Sequence, residues 1–319
     1  MATVAATGGG AVPENKVIVI IAPTGGMAYK TQNPALPTQP DEIARDVYDC
    51  YNAGASLVAV HARDANDHAT CDPEVYREIN TRIRDKCDII INNSTGGGVS
   101  GTMVEQLSNG TWDVLFEERM KGMEAGAEMC TLDATTIVAS FAGEEYLMNT
   151  SPSRCEILAT EMQKRGIKPE WECFGPTHIV QDTTALIQKG LDEPPYVVNL
   201  VLNAHRGFQN AMPYTPQTMQ FMVELLPKNS MFCSSAIGPA QLPAAINSVL
   251  LGGRIARVGL EDNLFYRRGE LASNVQLVER LVRVLRELEF EPATAAEARG
   301  MLGLPRKGAP VVPEFAVAS

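Results

Sequence analysis

The chain has 319 residues, 45% of them hydrophobic and 20% charged, which suits a globular protein with a large core. That length fits either two domains of about 150 residues or one large α/β barrel. Lys and Arg number 27 against 38 Asp and Glu, a net charge of −11. With no clustered basic stretch, this excludes nucleic acid and anionic membrane as partners.

Short β-branched apolar runs recur along the chain, at residues 17–22, 56–62, 88–93, 127–132, 170–174, 197–202, 230–236 and 255–260. Each is followed by a helical pattern, a step of about 34 residues that matches one βα unit. Residues 40–53 read as a helix, with Pro40, Asp41 and Glu42 in its first turn and Gly54 at its end. Residues 274–290 read as another, with Leu277, Leu281, Val284, Leu285 and Leu288 at helical spacing.

Eight such units with no dividing linker predict a single (β/α)8 TIM barrel over residues 16–304. Residues 1–15 read as a flexible lead and 305–319 as a tail. A doubly wound open sheet is the alternative, since periodicity does not show closure. However, the first βα turn, Pro23-Thr24-Gly25-Gly26-Met27, lacks the G-x-G-x-x-G of a nucleotide-binding crossover.

The start of the chain lacks the basic and apolar regions of a signal peptide, and no segment approaches the ~20 apolar residues of a bilayer span. Seven cysteines, at 50, 71, 87, 130, 155, 173 and 233, include no Cys-x-x-Cys pair. They read as buried reduced thiols, and the expected compartment is the cytoplasm.

In a barrel, chemistry collects at the C-terminal strand ends. The second run ends Ala59-Val60-His61-Ala62-Arg63-Asp64, where alternation puts Ala59, His61 and Arg63 on one face. His61 suits a metal ligand, a proton shuttle or a half-buried structural ring. The third run ends in Ser94-Thr95-Gly96-Gly97-Gly98, a possible nest of backbone N–H groups for an anion or a plain flexible turn. Glu170 and Glu172 share a face of the fifth run and are costly to bury without partners, so they read either as functional groups or as residues of an edge or solvent-facing strand. The eighth run places Arg257, Gly259 and Glu261 on one face, with Asp262 at the turn. Folding alone does not require this charged cluster, so it reads as a site.

Together these motifs resemble the β-keto acid cleavage enzymes, over about residues 17–304. The resemblance rests on Asn33-Pro34-Ala35-Leu36-Pro37, Asp41-Glu42-Ile43-Ala44, Ala53-Gly54-Ala55 and His61-Ala62-Arg63-Asp64. Ser94-Thr95-Gly96-Gly97-Gly98 and Arg257-Val258-Gly259-Leu260-Glu261-Asp262-Asn263 complete it. It implies a (β/α)8 barrel, a divalent metal (usually zinc), acetyl-CoA as co-substrate, and a homo-oligomer, tetramer or dimer. The implied reaction turns a β-keto acid and acetyl-CoA into acetoacetate and a new acyl-CoA. His61 and Glu261 match two of three metal ligands, Arg257 and Asp262 a catalytic pair with Asp262 the base. Ser94 and one of Glu170 or Glu172, with Glu172 preferred, match substrate-contacting positions, with Thr95, Gly96 and Met27 beside them. On this expectation an acetyl-CoA enolate adds to the keto group, the thioester changes hands, and a retro-Claisen cleavage releases acetoacetate, with a metal polarising the keto oxygen.

Three departures stand out. The family's His-x-His-x-Arg-Asp has Ala59 at its first position, and alanine cannot ligate; His178 and His205, each after a strand, are conceivable substitutes. Met27 stands where aminohexanoate-cleaving members carry an acid, which predicts a substrate other than a 5-amino β-keto acid. Phe174-Gly175-Pro176-Thr177-His178 departs from Phe-Asp-x-Gly-His. A CoA-independent lyase or hydrolase on a keto compound, and a non-catalytic ligand-binding barrel, are the competing readings. Both family substrates are anions, so an acidic chain needs local positive potential at its site, from Arg257, a metal or the 94–98 loop.

Overall fold

The computed structural model describes residues 12–141 and 143–305, so most of the expected lead and nearly all of the expected tail lie outside the described residues. Eight parallel strands form the core: β1 (Lys16–Ile21), β2 (Leu57–Val60), β3 (Ile90–Asn93), β4 (Met129–Asp133), β5 (Lys168–Cys173), β6 (Tyr196–Leu202), β7 (Ser230–Ala236) and β8 (Ile255–Val258). Hydrogen-bonded ladders run β7-β6-β5-β4-β3-β2-β1-β8. The two ends of that order, β7 and β8, lie together without a ladder, so the barrel is nearly closed.

Both faces of these strands are buried, and for that reason they read as continuous apolar runs rather than alternating ones. In β1, Ile18 and Ile20 point into the barrel with Leu57, Ala59, Ile90, Met129 and Ile255. Val17, Val19 and Ile21 point outward into the larger core shared with the helices. The helical layer comprises α1 (Pro40–Asn52), α2 (Pro73–Arg84), α3 (Phe116–Met120), α4 (Pro152–Lys164), α5 (Thr184–Gln188), α6 (Pro216–Glu224), α7 (Gln241–Leu250) and α8 (Asn274–Glu287). A last helix, α9 (Ala295–Leu302), inserts Ala298 and Leu302 into the interior cluster and plugs the N-terminal end of the barrel.

Local chemistry sets the helix limits. The Glu42 carboxylate accepts from the Thr38 and Gln39 N–H groups at 3.0 and 3.2 Å, fixing the start of α1. Gly54, at φ +115°, turns the chain after it. The predicted helix over 274–290 stops at Glu287, because Glu289 takes φ +64° and the Phe290 N–H folds back onto the Leu285 carbonyl at 2.9 Å.

The periodicity gives no hint of a small second sheet. Val104–Gln106, Trp112–Val114, Glu144–Met148 and Ile137–Phe141 pair in that order, and the hairpin of the last two follows β4. It stands over the C-terminal mouth of the barrel.

Candidate active site

Inward alternation along the strands brings Asp133, Glu172, Ser235 and Arg257 to the C-terminal mouth, where His61, the residue after β2, joins them around a cavity of about 910 Å³. Gly259 ends β8 with its Cα against the first strand: a Cβ there would lie 2.0 Å from the Ala22 carbonyl oxygen. Only glycine lets the chain turn at that point, and the turn delivers Glu261 and Asp262 to the cavity.

Arg257 organises the centre. Its Nε donates to Asp262 Oδ2 at 3.0 Å and its Nη2 to Asp262 Oδ1 at 3.1 Å, a two-pronged pair. Nη2 also donates to Glu261 Oε1 at 2.8 Å. Nη1 makes no hydrogen bond among the described residues and lies 3.9 Å from Glu172 Oε1. His61 Nε2 is 3.4 Å from Glu261 Oε1, while its Nδ1 side meets the Gly97 carbonyl at 2.9 Å.

Three carboxylates close together in a buried site are driven apart in pKa. Burial pushes Glu261 up, but Arg257 and His61 outweigh it and hold that carboxyl at about 2. Burial lifts Asp262, and the neighbouring Glu261 adds to the rise against the pull of Arg257. Glu172 rises well above the carboxylate range through burial and the charges of Asp133 and Glu170. Glu261 is therefore a fixed anion, Asp262 a base of strengthened affinity for a proton, and Glu172 a group held toward its neutral, donating form.

The remaining expected residues divide clearly. Met27, Ser94 and Gly96 line the cavity, with the Ser94 hydroxyl accepting from Gly96 N–H at 3.0 Å. Thr95 does not line it: its hydroxyl donates to the Thr131 carbonyl at 2.6 Å, and its own carbonyl accepts from Arg119. Arg63 leaves the face that alternation gave it, because β2 ends at Val60; wholly buried, it binds the Gly25, Ala28 and Asp67 carbonyls. Glu170 lies one layer below the cavity, bonded to Asn92. His178 accepts from the Phe174 N–H at 3.0 Å, and burial lowers its pKa to about 4; His205 is exposed.

Sequence reasoning missed the supporting groups. Asn199 donates to Glu172 at 3.1 Å and accepts from the Ser235 N–H and hydroxyl, both at 2.9 Å. A lone Asn inside the apolar run 197–202 was the available signal. Arg119, fully buried, pairs with Asp133 at 3.4 Å and with Thr150 at 2.7 Å, so Asp133 faces the cavity with a cationic partner behind it. The far wall is apolar: Ile137, Phe174, Val201 and Ala204 pack with Met148, Phe208 and Ile237.

The family model for beta-keto acid cleavage enzymes matches residues 16–304. The chain belongs to the β-keto acid cleavage enzyme family. It is 36% identical over 292 residues to a 3-keto-5-aminohexanoate cleavage enzyme of Fusobacterium nucleatum, covering 91% of this chain and 98% of that one. A 3-dehydrocarnitine:acetyl-CoA trimethylamine transferase of Rhizobium meliloti is 31% identical over 301 residues, covering 92% and 98%. Among solved structures, the apo structure of ObcA superposes with a TM-score of 0.68 at 19% identity, over 85% of this chain and 66% of that one, which supports the barrel fold.

Family resemblance implies a zinc ion, and this member's side chains do not fit one. Glu261 Oε2 is buried and has no hydrogen-bond partner among the described residues, and His61 Nε2 stands beside the same carboxylate, so two donors converge. Ala59 contributes none, and among the described residues no cluster of three His, Cys, Asp or Glu forms a metal-holding group. Neither His178 nor His205 joins His61. Catalytic zinc sites use three protein ligands, one more than the described residues of this β-keto acid cleavage enzyme assemble.

Proposed function

We propose that the chain catalyses acetyl-CoA-dependent cleavage of a β-keto acid whose side chain is uncharged and apolar, giving acetoacetate and a new acyl-CoA. The observation that carries this reading is Arg257, which fixes Asp262 with two donors and keeps Nη1 unspent beside a cavity with an apolar far wall.

The product acyl-CoA contains the old keto carbon, so the CoA sulfur must end on that atom. An enolate formed on acetyl-CoA, as the family resemblance first suggests, does not lead there. The methylene between keto group and carboxylate is also the more acidic carbon. Asp262 takes a proton from it, and Arg257 Nη1 donates to the enolate oxygen that develops. That carbon attacks the acetyl thioester, forming a C–C bond and expelling CoA thiolate. The thiolate then adds to the original keto carbon, the adjacent C–C bond breaks, and Asp262 returns its proton to the acetoacetate carbanion. Glu172, held toward its neutral form, donates to the substrate carboxylate, with Ser94 and the glycine loop alongside. No step runs through a metal.

Met27 and the wall of Ile137, Phe174 and Phe208 support an apolar substituent over a 5-amino group. Of the carboxylates that line the cavity, Asp133 is already paired with Arg119. Seven buried free cysteines support a reducing, cytoplasmic setting, and among the described residues no helix is long and apolar enough to cross a membrane. A homo-oligomer belongs to this reading on the family resemblance alone. Incubation with acetyl-CoA and β-keto acids of graded polarity should yield acetoacetate fastest from aliphatic members. Acetyl-CoA left unconsumed by every acid, or a clear preference for the 5-amino compound, overturns it.

A further inference from the structure

A second cleft, of about 960 Å³, opens between α7, α8 and the antiparallel pair Phe265–Arg267 and Glu270–Leu271. It borders the active-site cavity. Tyr214, Pro239 and Pro243 line both, and Asn263, the residue after Asp262, lines the outer one. We propose that this outer cleft holds the nucleotide end of coenzyme A, an inference that rests on the acetyl-CoA-dependent reading above.

Three observations fit that occupant. First, the cleft is basic in an acidic chain: Arg267, Arg268 and Arg280 all line it. Arg268 is exposed and forms no ion pair or hydrogen bond among the described residues, whereas Arg267 shares its guanidinium with Glu270. Second, the ring system is suited to an adenine. Arg280 lies 5.0 Å over the Tyr266 ring and holds it, while the neighbouring Phe265 side chain is 46% exposed and free to stack on a base. Third, the two cavities meet at Pro239 and Pro243. A flexible pantetheine arm crossing there would carry the thioester to Asp262 and leave the 3′-phosphate and pyrophosphate among the arginines. A slot of this kind, apolar within and cationic at its rim, matches an amphipathic nucleotide better than it matches a β-keto acid.

The test compares acetyl-CoA, acetyl-dephospho-CoA and the acetyl thioester of N-acetylcysteamine, which has no nucleotide. In the wild type, kcat/KM should fall in that order. In Arg268→Ala, and further in Arg268→Ala/Arg280→Ala, KM for acetyl-CoA should rise on the order of tenfold or more. The ratio of kcat/KM for acetyl-CoA over the truncated thioester should collapse, and the discrimination against dephospho-CoA should shrink. Arg268→Lys should keep most of that discrimination. Sedimentation of each variant runs in parallel. Variants that keep the wild-type ratio overturn the proposal. So does a change in oligomeric state with KM unmoved, which would make this face a contact between copies of the chain. Both results leave acetyl-CoA turnover by the wild type intact, whereas a wild type that ignores acetyl-CoA removes the underlying reading as well.

Discussion

Two buried arginines mark the two ends of this barrel, and they are used in opposite ways. Arg299, on α9 at the N-terminal end, bonds both oxygens of Glu128, at 2.6 and 3.1 Å, and both the carboxylate and carbonyl of Asp88, at 3.0 and 3.1 Å. All three of its nitrogens are engaged, on partners that tie the plug helix to β3 and β4. Arg257, at the mouth, is equally buried and also has two strong acidic partners, yet its Nη1 is unspent and Glu261 Oε2 beside it is unpaired. A saturated ion network holds structure. An unsaturated one pays a desolvation cost that only a ligand can recover, and that leftover capacity distinguishes a site from a brace.

Substitutions at the two ends should separate along this line. Asp262→Asn leaves Arg257 one acceptor at that position, with Glu261 still holding its charge, but removes the base, and should lower kcat on the order of 10³-fold with a comparatively small fall in the urea midpoint. Because burial and Glu261 lift the Asp262 pKa, the wild-type acid limb should lie above the usual aspartate range, with kcat lost as pH falls through it. An Asn variant that retains turnover would break the assignment. Arg299→Met should do the reverse. It should destabilise by about 2 kcal/mol, less than a fully buried pair because Asp88 and Glu128 keep contact with water, and leave kcat as it was. Equal loss of activity from both variants would erase the distinction.

The eight strands and the mouth cluster are legible in the sequence because parallel strands must be apolar on both faces. A charge at the end of such a run then stands out against its background. Arg257, Glu261 and Asp262 are visible for that reason. Arg63 misleads for a related one: alternation holds only while the strand lasts, and β2 ends at Val60. The hairpin over the mouth leaves almost no trace, since five-residue strands with mixed burial carry little periodic signal. Asp133 and Arg119 lie 14 residues apart, on a strand and on the helix before it, and meet only in the folded chain, so no local pattern links them.

Ala59 gives the finest test of the contrast. It faces the barrel interior two residues before His61, on the strand that carries that imidazole to Glu261. Among the described residues the site therefore stops one donor short of the three protein ligands a zinc ion takes. Ala59→His supplies the missing donor on the same face, and Glu261 Oε2 is already available to a cation. Zinc affinity, read by competition with a chromophoric chelator, should rise at least about tenfold in the variant over the wild type, whatever the effect on turnover. A wild type that already binds one zinc tightly, with no gain from the histidine, would mean that the unspent groups around Arg257 are completed by a metal rather than by substrate, and would move this end of the barrel closer in kind to the saturated one.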